Sequence, residues 1–168
     1  MRAFIALPVP PLAESGAERH LTLRFFPALD RSGLEAAAQA IDRTAAGVPG
    51  FDFTLDGFGG FPSLAEPRVV YREVGPGRDR LVALRTALEA ALGEAGFAPE
   101  ARPFVPHVTV ARNRPGTPSP HLRWPAPEPV AVPAREVILF ESSLTPTGAI
   151  HRPRHRAALA PLPAADPR

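Results

Sequence analysis

Two short segments of this chain place a histidine and a threonine two residues apart, and these side chains can carry out acid–base chemistry. The segments are HLTLRF at residues 20–25 and HVTVAR at residues 107–112, and each contains a later arginine. Histidine titrates near neutral pH, so it can take up or release a proton during a reaction. Because two of the chain's five histidines stand in these near-copies, we expect one site built from two similar halves.

The alternation of residue types in both segments predicts β-strands that display their polar side chains on one face. In a strand, residues two apart point to the same face, so His20 lies beside Thr22 and His107 lies beside Thr109. The aliphatic residues between them point the other way, into a core. Lobes related by a pseudo-twofold axis would bring the two pairs together in one cleft.

Such a cleft favours displacement at phosphorus without a metal ion. The reaction needs a base on the attacking oxygen and an acid on the leaving oxygen, and histidine can fill either role. Threonine hydroxyls can donate hydrogen bonds to the phosphate oxygens on which charge builds up, and arginine adds charge-assisted bonds. We expect no cofactor and no metal, because two histidines without a third ligand fall short of a catalytic zinc set. A cyclic phosphodiester is the natural substrate, since its ring holds the leaving oxygen in place.

The composition is that of a folded, enzyme-sized chain and excludes several kinds of site. The chain has 168 residues, 45% of them hydrophobic, and 23 prolines. The absence of cysteine excludes disulfides, thiol catalysis and cysteine-ligated metals, and it fits a cytoplasmic protein. No apolar run is long enough to cross a membrane. All the basic residues are arginine, but the formal net charge is only +2, so overall charge does not identify the partner.

Hydrophobic periodicity predicts an α+β fold. The pattern of strand, helix or loop and further strands occurs twice, which predicts two pseudo-symmetric lobes of mostly antiparallel sheet, with outer helices, around a central cleft. We expect residues 1–163 to form a single bilobal domain and residues 164–168 to be a frayed tail. GFGG at residues 57–60 is interpreted as a turn, and residues 113–134 as a proline-rich loop. The expected helices are 30–47 and 77–97, and strands are expected at 2–9, 18–27, the start of 50–63, 67–75, 103–112, 135–144 and 151–162.

Both motifs and their flanking segments resemble the 2H phosphoesterase superfamily, and more closely its RNA 2′,3′-cyclic phosphodiesterases, also called 2′-5′ RNA ligases. The similar segments include RAFIAL, LDGFGGFPSLAEPRVVY, GFAPEARPFVPHVTVAR and VILFESSLTPTGAIH. The resemblance implies a two-lobed α+β fold and hydrolysis of RNA 2′,3′-cyclic phosphate ends to a 2′-phosphate. It also implies weak, reversible 2′-5′ joining of RNA ends. We therefore expect RNA ends as partners of a monomer that does not bind membranes.

The resemblance also implies roles for individual residues. By position, His20 is the proton donor to the leaving O3′ and His107 is the proton acceptor from water, while Thr22 and Thr109 bind the phosphate. Arg112 is implied as a further phosphate contact. In a regular strand it would point to the face opposite His107 and Thr109, so this role requires a bend in the strand. Only about ten residues separate the first strand from the first motif. This lead-in is shorter than in relatives, which predicts that the first lobe has lost an outer element.

Other interpretations stay open at this point. The chain could be a non-catalytic protein that binds RNA ends in the cleft, or an esterase for a small cyclic nucleotide or ADP-ribose cyclic phosphate, with a metal hydrolase as a more distant alternative. The segment HRPRHR at residues 151–156 is either a basic strip that contacts RNA or a solvated edge strand. Arg24 is equally compatible with a structural and a functional role. Three histidines are interpreted as surface residues and three phenylalanines as core residues: His121, His151 and His155, and Phe25, Phe58 and Phe61.

Overall fold

Two four-stranded antiparallel sheets, each accompanied by one long helix, form the frame of the protein in a computed structural model that describes residues 1–14, 19–115 and 120–163. The first sheet has the strand order β2–β1–β7–β8 and the second has the order β5–β4–β3–β6. A short 3-10 helix lies before β6. The elements in chain order are β1 (Arg2–Val9), β2 (Arg19–Phe26), α1 (Arg31–Gly47), β3 (Phe51–Phe61), β4 (Val69–Val74), α2 (Arg78–Glu94), β5 (His107–Arg112), β6 (Val130–Ala134), β7 (Glu136–Thr145) and β8 (Gly148–Ala158).

The predicted α+β class with two antiparallel lobes is confirmed, and two segments differ from the sequence expectation. The turn predicted at GFGG is wrong, because these residues continue β3. Gly59 is required there by close approach: a Cβ at this position would lie 2.5 Å from ring carbons of Tyr71. The second difference is β6, which lies inside the predicted loop and contains Pro133. Because β6 is an edge strand, a proline can be accommodated without loss of an interior ladder bond.

Alternate residues of the first sheet form a core on the side of α1. Ala3, Ile5 and Leu7 of β1 are fully buried, and α1 contacts β7 and β8. The helix begins after Asp30, whose carboxylate accepts a hydrogen bond from the backbone N–H of Gly33 (2.7 Å) and so caps the helix. Each buried large aliphatic side chain contributes about 1.5–3 kcal/mol. Phe4 and Ala6 lie on the opposite face of β1 and are buried as well.

The first lobe forms a four-stranded sheet, and the connection before the first motif is short. That connection covers residues 10–18, of which 15–18 lie outside the described part of the chain, as does the tail predicted at 164–168. Glu14 in the connection pairs with Arg72 of β4 (2.8 Å), and both side chains are buried. Arg72 also donates to the backbone oxygens of Asp56 (2.6 Å) and Glu128 (2.6 Å). The short connection is therefore fixed to the second lobe. None of the described helices has the length and apolar character needed to span a membrane.

Candidate active site

The two histidine–threonine strands meet at the boundary between the sheets. β2 is the edge strand of the first sheet, β5 is the edge strand of the second, and the two strands contact each other. Arg19 of β2 donates from Nη2 to the backbone oxygen of Val110 in β5 (3.3 Å). The fold thus brings the two motifs together, as the sequence predicted.

Within each motif, the histidine and threonine side chains are on one face and the aliphatic side chains are on the other. His20, Thr22, His107 and Thr109 are half-buried, whereas the residue after each of them is buried. Neither threonine hydroxyl bonds to another described residue. Both hydroxyls are therefore available to donate to a ligand in the cleft.

Each motif contains a β-bulge at its fourth residue. In β2, Leu23 has no partner in β1, because Thr22 pairs with Ala6 and Arg24 pairs with Ile5. In β5, Val110 likewise has no partner in β4, because Thr109 pairs with Tyr71 and Ala111 pairs with Val70. An extra residue in one strand moves each later side chain to the face opposite the one that strict alternation would give it. The sixth residue of each motif, Phe25 or Arg112, therefore returns to the face of the histidine and threonine.

The bulge in β5 is the bend that a phosphate-binding role for Arg112 requires. Arg112 is exposed and makes no hydrogen bond or ion pair with another described residue. Burial is the largest cause that lowers the pKa of His20 and of His107, and the positive charge of Arg112 is a smaller cause at both. The unpaired guanidinium of Arg112 therefore lies within electrostatic range of both imidazoles.

His20 is packed among aromatic rings. Its ring centroid lies 4.7 Å from that of Phe4, 6.3 Å from that of Phe140 and 5.4 Å from that of His151, which it meets edge-on. Phe4 is also 4.9 Å from the ring of His151. His20 therefore lies in an aromatic cluster formed by residues of β1, β7 and β8.

The surroundings of His20 favour its neutral form. Burial, followed by the charges of His151, Arg19, Arg112 and His107, lowers the pKa of His20 from 6.5 to about 4. Burial in a medium of low dielectric disfavours the charged imidazolium, and neighbouring positive charge does the same. In the free protein, His20 is therefore neutral near pH 7.

His107 is held in a defined tautomer. Its Nδ1 lies 2.6 Å from the backbone oxygen of Val105, and since a carbonyl can only accept, Nδ1 carries the proton and Nε2 has the free electron pair. The rings of Phe61 (5.1 Å) and Tyr71 (5.2 Å) pack against the imidazole. Burial lowers the pKa of His107, the bond to Val105 raises it, and the charge of Arg112 lowers it. Neutral His107 can therefore accept a proton at Nε2.

Three residues that the sequence placed on the surface or in the core also belong to the cleft. His151 is exposed, as expected, but its ring touches His20. Phe61 was interpreted as a core residue, yet it is half-buried and packs against His107. Phe25 was assigned to the core too, but it is 39% exposed. Strand pairing, which a single sequence does not contain, brings all three to this face.

Other candidates have structural partners. Arg24 bonds to both carboxylate oxygens of Glu89 (3.0 and 2.8 Å) and to the backbone oxygen of Ala98 (2.7 Å), so its role is to fix β2 to the helix α2 and the loop after it. The segment HRPRHR forms part of the edge strand β8, and three of its side chains pair with acids. These pairs are Arg154–Glu141 (3.1 Å), His155–Asp42 (2.6 Å) and Arg156–Glu136 (3.0 Å), which favours the solvated edge strand over a basic strip.

A cavity lies apart from the motif residues, and the described residues contain no group suited to a metal ion. A cavity of about 350 Å³ is bordered by Phe58, Arg72 and Trp124, among others, and none of the motif residues lines it. Among the described residues, no group of three histidine, cysteine, aspartate or glutamate side chains could hold a metal ion.

The family model of the 2′-5′ RNA ligase superfamily matches residues 15–144. The chain belongs to this superfamily. It is 34% identical over 135 residues to the RNA 2′,3′-cyclic phosphodiesterase of Thermotoga maritima, covering 79% of this chain and 71% of the relative. The resemblance drawn from the two motifs is thereby confirmed.

Two solved structures share this fold over nearly the whole chain. The crystal structure of TT0787 from Thermus thermophilus has a TM-score of 0.72 and 25% identity, covering 95% of this chain and 98% of that one. E. coli LigT in complex with 3′-AMP has a TM-score of 0.70 and 26% identity, covering 94% and 97% of the two chains. The described elements are therefore arranged as in these two structures.

Proposed function

We propose that this protein hydrolyses the 2′,3′-cyclic phosphate ends of RNA to 2′-phosphates, with His20 as proton donor and His107 as proton acceptor. The proposal is carried by the meeting of two strands that each display a histidine and a free threonine hydroxyl on the cleft side. Membership of the superfamily and relatives named RNA 2′,3′-cyclic phosphodiesterase support the substrate class.

The chemistry follows from the arrangement of these groups. Nε2 of His107 takes a proton from water as the water oxygen attacks phosphorus, because Nδ1 is already bonded to Val105. The bond from phosphorus to O3′ breaks, and His20 gives a proton to O3′, which leaves the phosphate on O2′. The threonine hydroxyls and the guanidinium of Arg112 bind the non-bridging oxygens, where charge increases in the transition state.

The negative charge of the substrate explains how His20 can act as an acid. The positive neighbours of His20 contribute to its low pKa in the free protein, and a bound phosphodiester places an anion among them. An opposite charge favours the imidazolium and raises the pKa. Substrate binding therefore generates the acid that the reaction uses.

The same groups support weak, reversible 2′-5′ joining. In that direction, an RNA 5′-hydroxyl replaces water as the nucleophile and His107 takes its proton. The P–O3′ bond breaks as before, and the product is a 2′-5′ phosphodiester. Water is present at far higher concentration than RNA ends, so hydrolysis is expected to dominate.

An RNA with a terminal 2′,3′-cyclic phosphate, incubated without metal and with EDTA, tests the hydrolysis. We expect a 2′-phosphate as product, and His20→Ala and His107→Ala are each expected to lower turnover about 10²–10⁴-fold, the usual contribution of one acid–base group. His155→Ala is the control, since His155 pairs with Asp42 of α1, away from the cleft. Full activity of either motif variant, a 3′-phosphate product or inhibition by EDTA would contradict the proposal.

A substrate with sulfur in place of O3′ separates the two roles. A thiolate leaves without protonation, so this substrate is expected to restore turnover to the His20→Ala variant and not to the His107→Ala variant. Restoration of the His107→Ala variant alone would reverse the assignment of acid and base.

A further inference from the structure

We propose that Arg2, Ser142 and His151 form a second anion subsite beside His20, which binds the phosphodiester one nucleotide upstream of the cyclic phosphate. The inference rests on the proposed function, because it concerns how an RNA end is distinguished from a single nucleotide. A 2′,3′-cyclic phosphate is the last group of its strand, so every other phosphate of the substrate lies upstream.

Strand register places the three residues in one row across the first sheet. Arg2 of β1 pairs with Ser142 of β7, and Ser142 pairs with His151 of β8. Directly paired residues lie side by side on the same face. That face is the cleft side, because Phe4, two residues after Arg2 on β1, packs against His20 (4.7 Å).

All three side chains can donate hydrogen bonds, and none is engaged within the described chain. Arg2 and His151 are exposed and Ser142 is half-buried, and no hydrogen bond or ion pair joins them to another described residue. The guanidinium of Arg2 is positioned instead by the ring of Phe25, whose centroid is 5.4 Å away. A row with one permanent cation and two further donors is suited to a phosphate.

The acidic side chain nearest in sequence does not neutralise this row. Glu141 precedes Ser142 on β7 and so points to the opposite face of the sheet, where it pairs with Arg154 (3.1 Å). His151, in contrast, touches the ring of His20 (5.4 Å). The row is thus continuous with the catalytic cleft, and a strand that passes over it leads to His20.

Steady-state kinetics with two substrates test the subsite. One is a mononucleoside 2′,3′-cyclic phosphate, and the other is a dinucleotide with the same cyclic end and one upstream phosphodiester. A charge-assisted hydrogen bond contributes about 1.5–3 kcal/mol, so kcat/KM is expected to favour the dinucleotide by roughly tenfold or more. Arg2→Gln and His151→Phe are each expected to lower this ratio severalfold. Arg152→Gln is the matched control, because Arg152 is exposed on the opposite face of β8, and it should leave the ratio unchanged.

A third substrate separates recognition of phosphate from stacking of the extra base. A dinucleotide whose upstream linkage is an uncharged methylphosphonate has both bases but lacks the anion, and it is expected to behave like the mononucleotide. Equal kcat/KM for the three substrates in the unmodified protein, or a preference that the methylphosphonate keeps, would overturn the subsite. If none of the substrates is hydrolysed, the proposed function fails, and the subsite is then judged by binding. Tighter binding of the phosphodiester than of the methylphosphonate, lost in Arg2→Gln, would still support it, and equal binding would overturn it.

Discussion

Protonation of His20 links the chemistry of the site to the stability of the protein. In the folded state its pKa is lowered from 6.5 to about 4, chiefly by burial and next by His151, while the unfolded chain keeps the ordinary value. Between these two pH values the unfolded state binds a proton that the folded state does not. The free energy of unfolding is therefore undiminished above about pH 6.5 and decreases as the pH falls towards 4.

The size of this effect follows from the displacement of the pKa. One pKa unit corresponds to about 1.36 kcal/mol, so the complete loss below pH 4 is about 3 kcal/mol. From about pH 7 to about pH 4.5 the loss is about 2 kcal/mol, because by then the folded state has begun to bind the proton as well. His20→Gln removes the titrating group, and we expect its unfolding free energy to decrease by about 2 kcal/mol less than that of the unmodified protein over this range.

Urea unfolding near pH 7 and near pH 4.5, at constant ionic strength, measures the difference. Thr22→Val is the control, because it alters the same face of β2 without removing a titrating group, and it should follow the unmodified protein. Other titrating groups are common to the three proteins, so their contributions cancel to first order in the comparison. If His20→Gln loses as much stability as the unmodified protein, His20 titrates normally and the account of its burial is wrong.

Three further outcomes are expected. Binding of a nucleoside 2′-phosphate should raise the pKa of His20, because the anion opposes its positive neighbours, and NMR titration of the imidazole would show this; an unchanged pKa would contradict substrate-generated acidity. Arg112→Gln should lower kcat/KM roughly 10–100-fold, the effect of losing a charge-assisted bond, with Arg112→Lys in between, and full activity of the glutamine variant would exclude the phosphate role. Arg72→Met should destabilise the protein by about 3–5 kcal/mol, because Glu14 is left buried without its partner; denaturant unfolding would measure this, and a change below about 1 kcal/mol would disprove it.

Local pattern was sufficient for the central part of the site. The alternation in HLTLRF and HVTVAR predicted strands with the histidine and threonine on one face, and the structure confirms the strands and the face. Their aliphatic residues have no other way to be buried in a half-exposed strand. The bounds of both helices were also close to the expected ones, since Asp30 caps the start of α1 and Gly96, with a positive φ, follows the end of α2.

What the sequence did not contain is strand pairing. The bulges at Leu23 and Val110 exist only relative to β1 and β4, so residue patterns alone do not show them. The bend before Arg112 was expected only from the resemblance, and the return of Phe25 to the cleft was not expected. His151 reaches His20 from the opposite edge of a four-stranded sheet, a relation between residues far apart in sequence. GFGG has the composition of a turn, but β3 continues through it, and the ring of Tyr71 leaves no room for a side chain at Gly59.

The bulge shared by the two motifs has a consequence for the direction in which an RNA strand can lie. Two identical half-sites related by a pseudo-twofold axis would accept a strand equally well in either polarity. The bulges open one further position in each half, and the two positions carry different residues, an aromatic ring in Phe25 and a guanidinium in Arg112. The two halves of the cleft are therefore not equivalent. A strand lying in the cleft would meet a different environment in each of its two orientations.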